Sequence, residues 1–218
     1  MAQSQAMTDL KAQMKKELAE IQDKVPAPSG NSISTKGKVF TLPDGSSSQG
    51  PLNVVIVDWR MYNQYFKGVY DAANPAPPTC FSLSDDAKNM APHVNVKDPQ
   101  CENCQDCAFN EWGSAPTGKG KACKNTIRLA VVPADATADA QPMILNVSPT
   151  GIKSFTALIN NLANVYSMLP IQVATEIAFD ANAAYPQLVF GETKPHDNLE
   201  AMFKLREASQ VLLEKTPD

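Results

Sequence analysis

The residues in this chain best suited to chemistry are its cysteines. Cys101, Cys104 and Cys107 form a CxxCxxC run, with single cysteines at Cys80 and Cys123 on either side. A CxxC turn lets two thiolates point at one metal while the intervening amides support the sulfurs, and two further cysteines from neighbouring loops complete a tetrahedral shell. The most economical zinc set is Cys80, Cys104, Cys107 and Cys123; Cys101 is then a spare or a substitute, and His93 is a sixth possible ligand in the same loop. The rival cofactor is a [4Fe–4S] cluster, because three cysteines at two-residue gaps plus a remote fourth also hold cubanes. Bare thiols are the bland reading, yet cysteines this crowded in a loop have no core to fill. Nucleophilic catalysis needs a base beside the thiol. The only histidines are His93 and His196, neither in a recognised pairing, and Glu111 reads as a solvated loop carboxylate. A surplus of cysteines indicates a closed, structural site, and the chain is not expected to be an enzyme.

The second constellation is basic and aromatic. From Trp112 to Val132 the chain carries Lys119, Lys121, Lys124 and Arg128 and no acid, although its net charge is −4. The stretch GSAPTGKGKAC is glycine-rich, so amides and lysines can both approach phosphate, but it lacks the spacing of a Walker loop. Upstream, Trp59, Tyr62, Tyr65, Phe66 and Tyr70 fall close together with Arg60 and Lys67 interleaved. Rings for stacking combined with cations along a backbone are how single-stranded nucleic acid is held. Tyr62 and Tyr65, flanked by polar neighbours, are the rings expected to be exposed; Phe109 and Trp112 are expected to pack over the cysteine loop.

Composition narrows the classes. A pI near 5.2 excludes a uniformly basic surface that coats duplex DNA. No apolar run reaches membrane-span length and the first residues lack the apolar core of a secretory signal. The expectation is a protein that stays in the reducing cytoplasm, where clustered cysteines point to metal rather than disulfides.

The elements that must position these residues follow from periodicity. Met7, Leu10, Met14, Leu18 and Ile21 make an amphipathic N-terminal helix, and VPAPSGNSISTKG then reads as a linker. We therefore expect residues 1–36 to be helix and flexible linker, and residues 37–218 to be one metal-containing, β-rich domain. KVFTL and NVVIVDW read as strands, and the unbroken Val54–Val57 run indicates burial on both faces. CFSLS, IRLAVVP, PMILNVS, IQVATEIAF and QLVFGE are further strands. Ser148 and Pro149 start a core helix on which Ile152, Phe155, Leu158, Ile159, Leu162 and Val165 share a face, and a second amphipathic helix covers about 197–215. The predicted fold is α+β: an antiparallel barrel or sheet like an oligonucleotide/oligosaccharide-binding (OB) fold, with the metal loop inserted and amphipathic helices at both ends.

The string PPTCFSLSDDAKNMAPH…PQCENCQDCAFNEWGSAPTGKGKACKNTIRLAVVP, with MILNVSPTGIKSF and YPQLVF after it, resembles a family of uncharacterised tailed-bacteriophage proteins over roughly residues 50 to 192. Its frame is P-x-C, then CxxC followed by WGS or FGS, then GKGKAC and a basic LAVVP strand. Cys80, Cys104, Cys107, Trp112-Gly113-Ser114 and Cys123 fall on that frame, Cys101 lies outside it, and Ala108 replaces the usual proline. The resemblance implies a phage protein in the cytoplasm of the infected bacterial host that binds single-stranded DNA in replication or recombination, beside other phage replication or recombination proteins. A metal-stabilised assembly protein, associating through its terminal helices, and an iron–sulfur protein with a redox or sensing role are the other two readings.

Overall fold

The computed structural model describes residues 13–14, 30–68 and 76–217. The expected N-terminal helix lies outside them except for Gln13 and Met14, as do residues 25–29 of the expected linker and Tyr70. In chain order the strands are β1 (Ser32–Ile33), β2 (Phe40–Thr41), β3 (Ser47–Ser48), β4 (Leu52–Tyr65), β5 (Cys80–Ser84), β6 (Lys124–Pro133) and β7 (Met143–Val147). Helix α1 (Ile152–Asn161), β8 (Val173–Phe179), β9 (Leu188–Pro195) and helix α2 (Leu199–Leu213) complete the order.

The protein is α+β and strand-rich, built on one mixed seven-stranded sheet in which β1-β7-β6-β4-β8-β9 are neighbours and β5 pairs with β4. The β1–β7 pair is parallel; the other pairs are antiparallel. β2 and β3 form a separate hairpin.

Strand β4 explains why the expected OB-like barrel is replaced by an open sheet. Its side chains alternate across the pleat. Val54 and Ile56 enter a core with Phe155, Leu158 and Leu162 of α1 and the turn after it, while Val55 and Val57 enter a second core with Ala201, Met202, Leu205 and Leu213 of α2. A barrel buries one face of its strands, whereas this sheet carries a helix on each face. Among the described residues the outermost strands of the order, β1 and β9, do not pair.

The polar stretch ahead of Gly37 also belongs to the fold: Ser32 and Ile33 pair with Ile144 and Leu145, and Ile33 is buried in the α1-side core. The linker expectation was too long because Ile33 is a single apolar residue among polar neighbours and shows no period. β4 runs six residues beyond the predicted Trp59, so Arg60 to Tyr65 lie in the sheet and not in a loop. α1 ends at Asn161 and continues as a five-residue π turn to Tyr166, stopped by Ser167 in the left-handed region (φ 51°).

α1 starts where Gly151 fits closely under the sheet. A Cβ added there would lie 2.9 Å from Val147 Cγ1 and 3.3 Å from the Leu188 carbonyl oxygen. Because one of these neighbours is backbone and cannot rotate away, Gly151→Ala is expected to cost about 1–3 kcal/mol, read as a lower midpoint in urea unfolding.

Candidate metal centre

All five cysteines line one cavity. It is closed by Asn63, Tyr65, Phe81 and Ser82 of the sheet and by Gln100, Phe109 and Asn110 of the loop, and it encloses about 20 Å³, room for a single water-sized sphere. Cys80, at the start of β5, is the one sulfur carried by the sheet; the β4–β5 register sets it opposite Tyr65. Cys104 and Cys107 are buried, Cys101 and Cys123 partly so.

The loop that carries the other four thiols has little regular structure beyond one 3-10 turn, Ala108–Asn110, and is held by local hydrogen bonds. Cys104 N–H donates to the Met90 carbonyl and Cys123 N–H to the Phe109 carbonyl, at 2.9 and 2.8 Å. Asn110 Nδ2 donates to the Cys104 carbonyl at 2.6 Å. Ser114 Oγ accepts the Ala122 N–H at 3.0 Å and shares its proton between the Phe109 and Glu111 carbonyls. Gly113 (φ 91°) and Gly120 (φ 82°) occupy backbone space that side chains disfavour, and Gly113 N–H donates to Gly120 O at 2.8 Å. Ser114 and these two glycines thus close the loop on itself between Phe109 and Cys123.

The donor set suits a soft or borderline cation. Burial first, then bonding with Cys107 and repulsion from nearby sulfurs, push the Cys101 thiol up to about 12; burial and repulsion from Cys104, Cys107 and Cys80 push Cys123 to about 12. A cation among them inverts that electrostatic balance. The thiols share the cavity without forming a closed shell: among the described residues no three histidine, cysteine, aspartate or glutamate side chains stand grouped to hold an ion.

His93 is not beside the sulfurs. Its neighbour in the fold is Phe81, whose ring it stacks on at 5.0 Å, and Phe81 alternates with Cys80 and Ser82 across the sheet. His93 Nδ1 accepts the Asn95 N–H at 3.1 Å, and the ring lines a different groove with Arg60 and Leu212. The expectation that it is a sixth ligand is therefore corrected.

The structure divides the expected nucleic-acid residues into braces and free groups. Tyr62 is only 5% exposed. Arg128 lies over its ring, 4.2 Å from the centroid, and donates to the Leu213 and Lys215 carbonyls at the end of α2, at 3.0 and 2.6 Å. Arg128 is thus a helix cap and Tyr62 its platform; burial raises the Tyr62 phenol above its ordinary pKa, with Arg128 pulling the other way. Arg60 donates to Gln210 Oε1 at 2.6 Å and lies 3.5 Å from Asp58, which joins β4 to α2. Tyr65 stacks on Phe109 at 4.2 Å, and Lys121 donates to Asn110 Oδ1 at 3.2 Å. Lys67, Lys119 and Lys124 are exposed. In these two segments the exposed rings are instead Phe66 and Trp112, the latter 81% exposed; Tyr166, Tyr185 and Phe203 are exposed elsewhere. Reading Trp112 as a lid over the cysteines missed this; the glycines around it and the absence of a following apolar partner are the signals that point outward.

No protein-family model, curated protein or solved structure matches this chain. The phage-family resemblance stands on its motifs alone. Among the described residues no helix is long and apolar enough to cross a membrane.

Braces and free groups should respond differently to substitution. Arg128→Leu, which strips charged hydrogen bonds from the buried Leu213 carbonyl and the part-buried Lys215 carbonyl, is expected to lower stability by about 2–3 kcal/mol, whereas Lys124→Ala stays within about 0.5 kcal/mol. Parallel urea titrations of the two variants check the contrast.

Proposed function

We propose that the protein is a phage single-stranded DNA-binding protein of replication or recombination, acting in the host cytoplasm, whose strand-gripping face is shaped by a structural four-cysteine zinc site. The observation that carries the proposal is the set of exposed groups at the sulfur-bearing end of the sheet. Phe66 and Lys67 leave β4 directly after Tyr65, which pairs with Cys80; Lys124 opens β6 opposite Gln64; Trp112 and Lys119 project from the loop between Cys107 and Cys123. Two free rings and three free cations on segments tied to one pocket are the ingredients of stacking plus phosphate neutralisation. The residues doing this are Phe66, Lys67, Trp112, Lys119 and Lys124; Arg60, Tyr62, Tyr65, Lys121 and Arg128 act behind them as braces.

Cys80, Cys104, Cys107 and Cys123 are the preferred ligands and Cys101 the alternative fourth. A second reading, a protein-assembly role, is favoured by the exposed Val165, Tyr166 and Leu169 in and after the π turn.

The test is binding of the full, anaerobically purified chain to a fluorescent single-stranded oligonucleotide and to its duplex across a salt series. Single-strand preference is expected, with Trp112→Ala weakening binding by about 1–3 kcal/mol. Each of Lys119→Ala and Lys124→Ala should flatten the log–log salt slope by roughly 0.7. No binding at low salt removes this reading and leaves assembly in front.

A further inference from the structure

Buried hydrogen-bonding groups almost always end on a partner; in this sheet the Thr175 hydroxyl of β8 departs from that, and so does one row beside the sulfur cavity. Asn63 on β4 is flanked by Ser82 on β5 and by Asn125 on β6, so three polar side chains lie side by side across three strands. The row shares the pleat face of Cys80 and Tyr65, the face on which the cysteine loop sits. Farther along the same face the positions are apolar, as at Met61, Trp59 and Ile127, which pack into the α1-side core. A polar row at the end of an apolar face costs stability unless something there accepts its hydrogens.

Nothing neutral accepts them fully. Ser82 is 1% exposed, and its hydroxyl has no hydrogen-bond partner. Asn125 Nδ2 donates to Asn63 Oδ1 at 2.8 Å, which commits the Asn63 oxygen and leaves its amide nitrogen for the sulfur side. There Asn63 Nδ2 donates to the thioether of Met90, a weak acceptor, at 3.5 Å. Ser82 and Asn63 both form part of the wall of the sulfur cavity, beside the cysteines that line it. A neutral thiol is a poor acceptor; a thiolate bound to a cation is a good one, and donors around it orient the ligand.

We propose that Ser82 and Asn63 are positioning residues of the metal centre, donating to a cysteine sulfur of the cavity when it ligates an ion, with Asn125 fixing the direction of the Asn63 amide. This rests on the metal reading above and assigns the site a set of hydrogen-bond donors beyond its ligands. It also explains why β4, so apolar over Val54–Val57, turns to asparagine beneath the loop.

The test uses the full chain, purified anaerobically without metal and titrated with Co2+, in native, Ser82→Ala and Ser82→Thr forms. Competition against a chelator should show Ser82→Ala binding Co2+ roughly 10–100-fold more weakly. Its sulfur-to-cobalt charge-transfer band should move to lower energy, because a thiolate that loses a donor gives up its electrons more readily. Ser82→Thr, which keeps the hydroxyl, should restore both. Unchanged affinity and band in Ser82→Ala overturn the inference while leaving the metal site standing. A native chain that takes up no Co2+ overturns the site itself, and the role of Ser82 with it.

Discussion

The constraint on which the rest of this structure depends is how one end of the sheet is covered. On one face α2 extends along β4 and is fastened by Asp58, Arg60, Gln210 and Arg128. On the other, α1 packs on β9 and reaches β4 through Phe155 against Trp59, and beyond Met61 a loop takes over from the helix. That loop buries few apolar side chains of its own. Phe109 stacks on Tyr65, Trp112 points away, and its backbone is mostly turns. A segment with so little hydrophobic burial needs another source of order, and in the proposed reading the five cysteines that line one cavity supply it through a bound ion.

That arrangement links the cysteines to the exposed groups. Glycines and lysines in the stretch before Cys123 keep the outer side of the loop polar and cationic, while Ser114 and the paired Gly113–Gly120 turn hold it close to Phe109. The surface offered to a partner is therefore set by backbone geometry that the sulfur cavity anchors at both ends, Cys107 and Cys123. This local charge opposes the negative balance of the whole molecule, which is what the proposed single-stranded DNA reading draws on.

Much of the order of elements was legible in the sequence because the signals were periodic. The Val54–Val57 run, the alternating IQVATEIAF and the α1 stripe all appear as strand or helix near their predicted bounds. The cysteine gathering was legible for a different reason: their spacing has no other use. What could not be read was orientation. Tyr62 and Arg128 look like a stacking ring and a phosphate-binding cation until β4 is seen to continue to Tyr65 and α2 to end above them, so that each finds its partner more than sixty residues away. His93 lies in the cysteine segment of the chain but stacks on Phe81 and lines a separate groove with Arg60 and Leu212 instead of the sulfur cavity, a placement that no ligand spacing expresses. The open sheet was not singled out over the barrel because a string of antiparallel strands is shared by both, and only the second helix, packing on the other face, decides between them.

The central claim is that an ion bound by four cysteine sulfurs orders the loop, and zinc-edge X-ray absorption on the anaerobically purified full chain, with metal content assayed in the same sample, tests it most directly. The account predicts one zinc per chain with four sulfur neighbours at about 2.3 Å. A metal-free chain whose loop is as well protected from hydrogen exchange before zinc is added as after, or a zinc shell of nitrogen and oxygen, would contradict it.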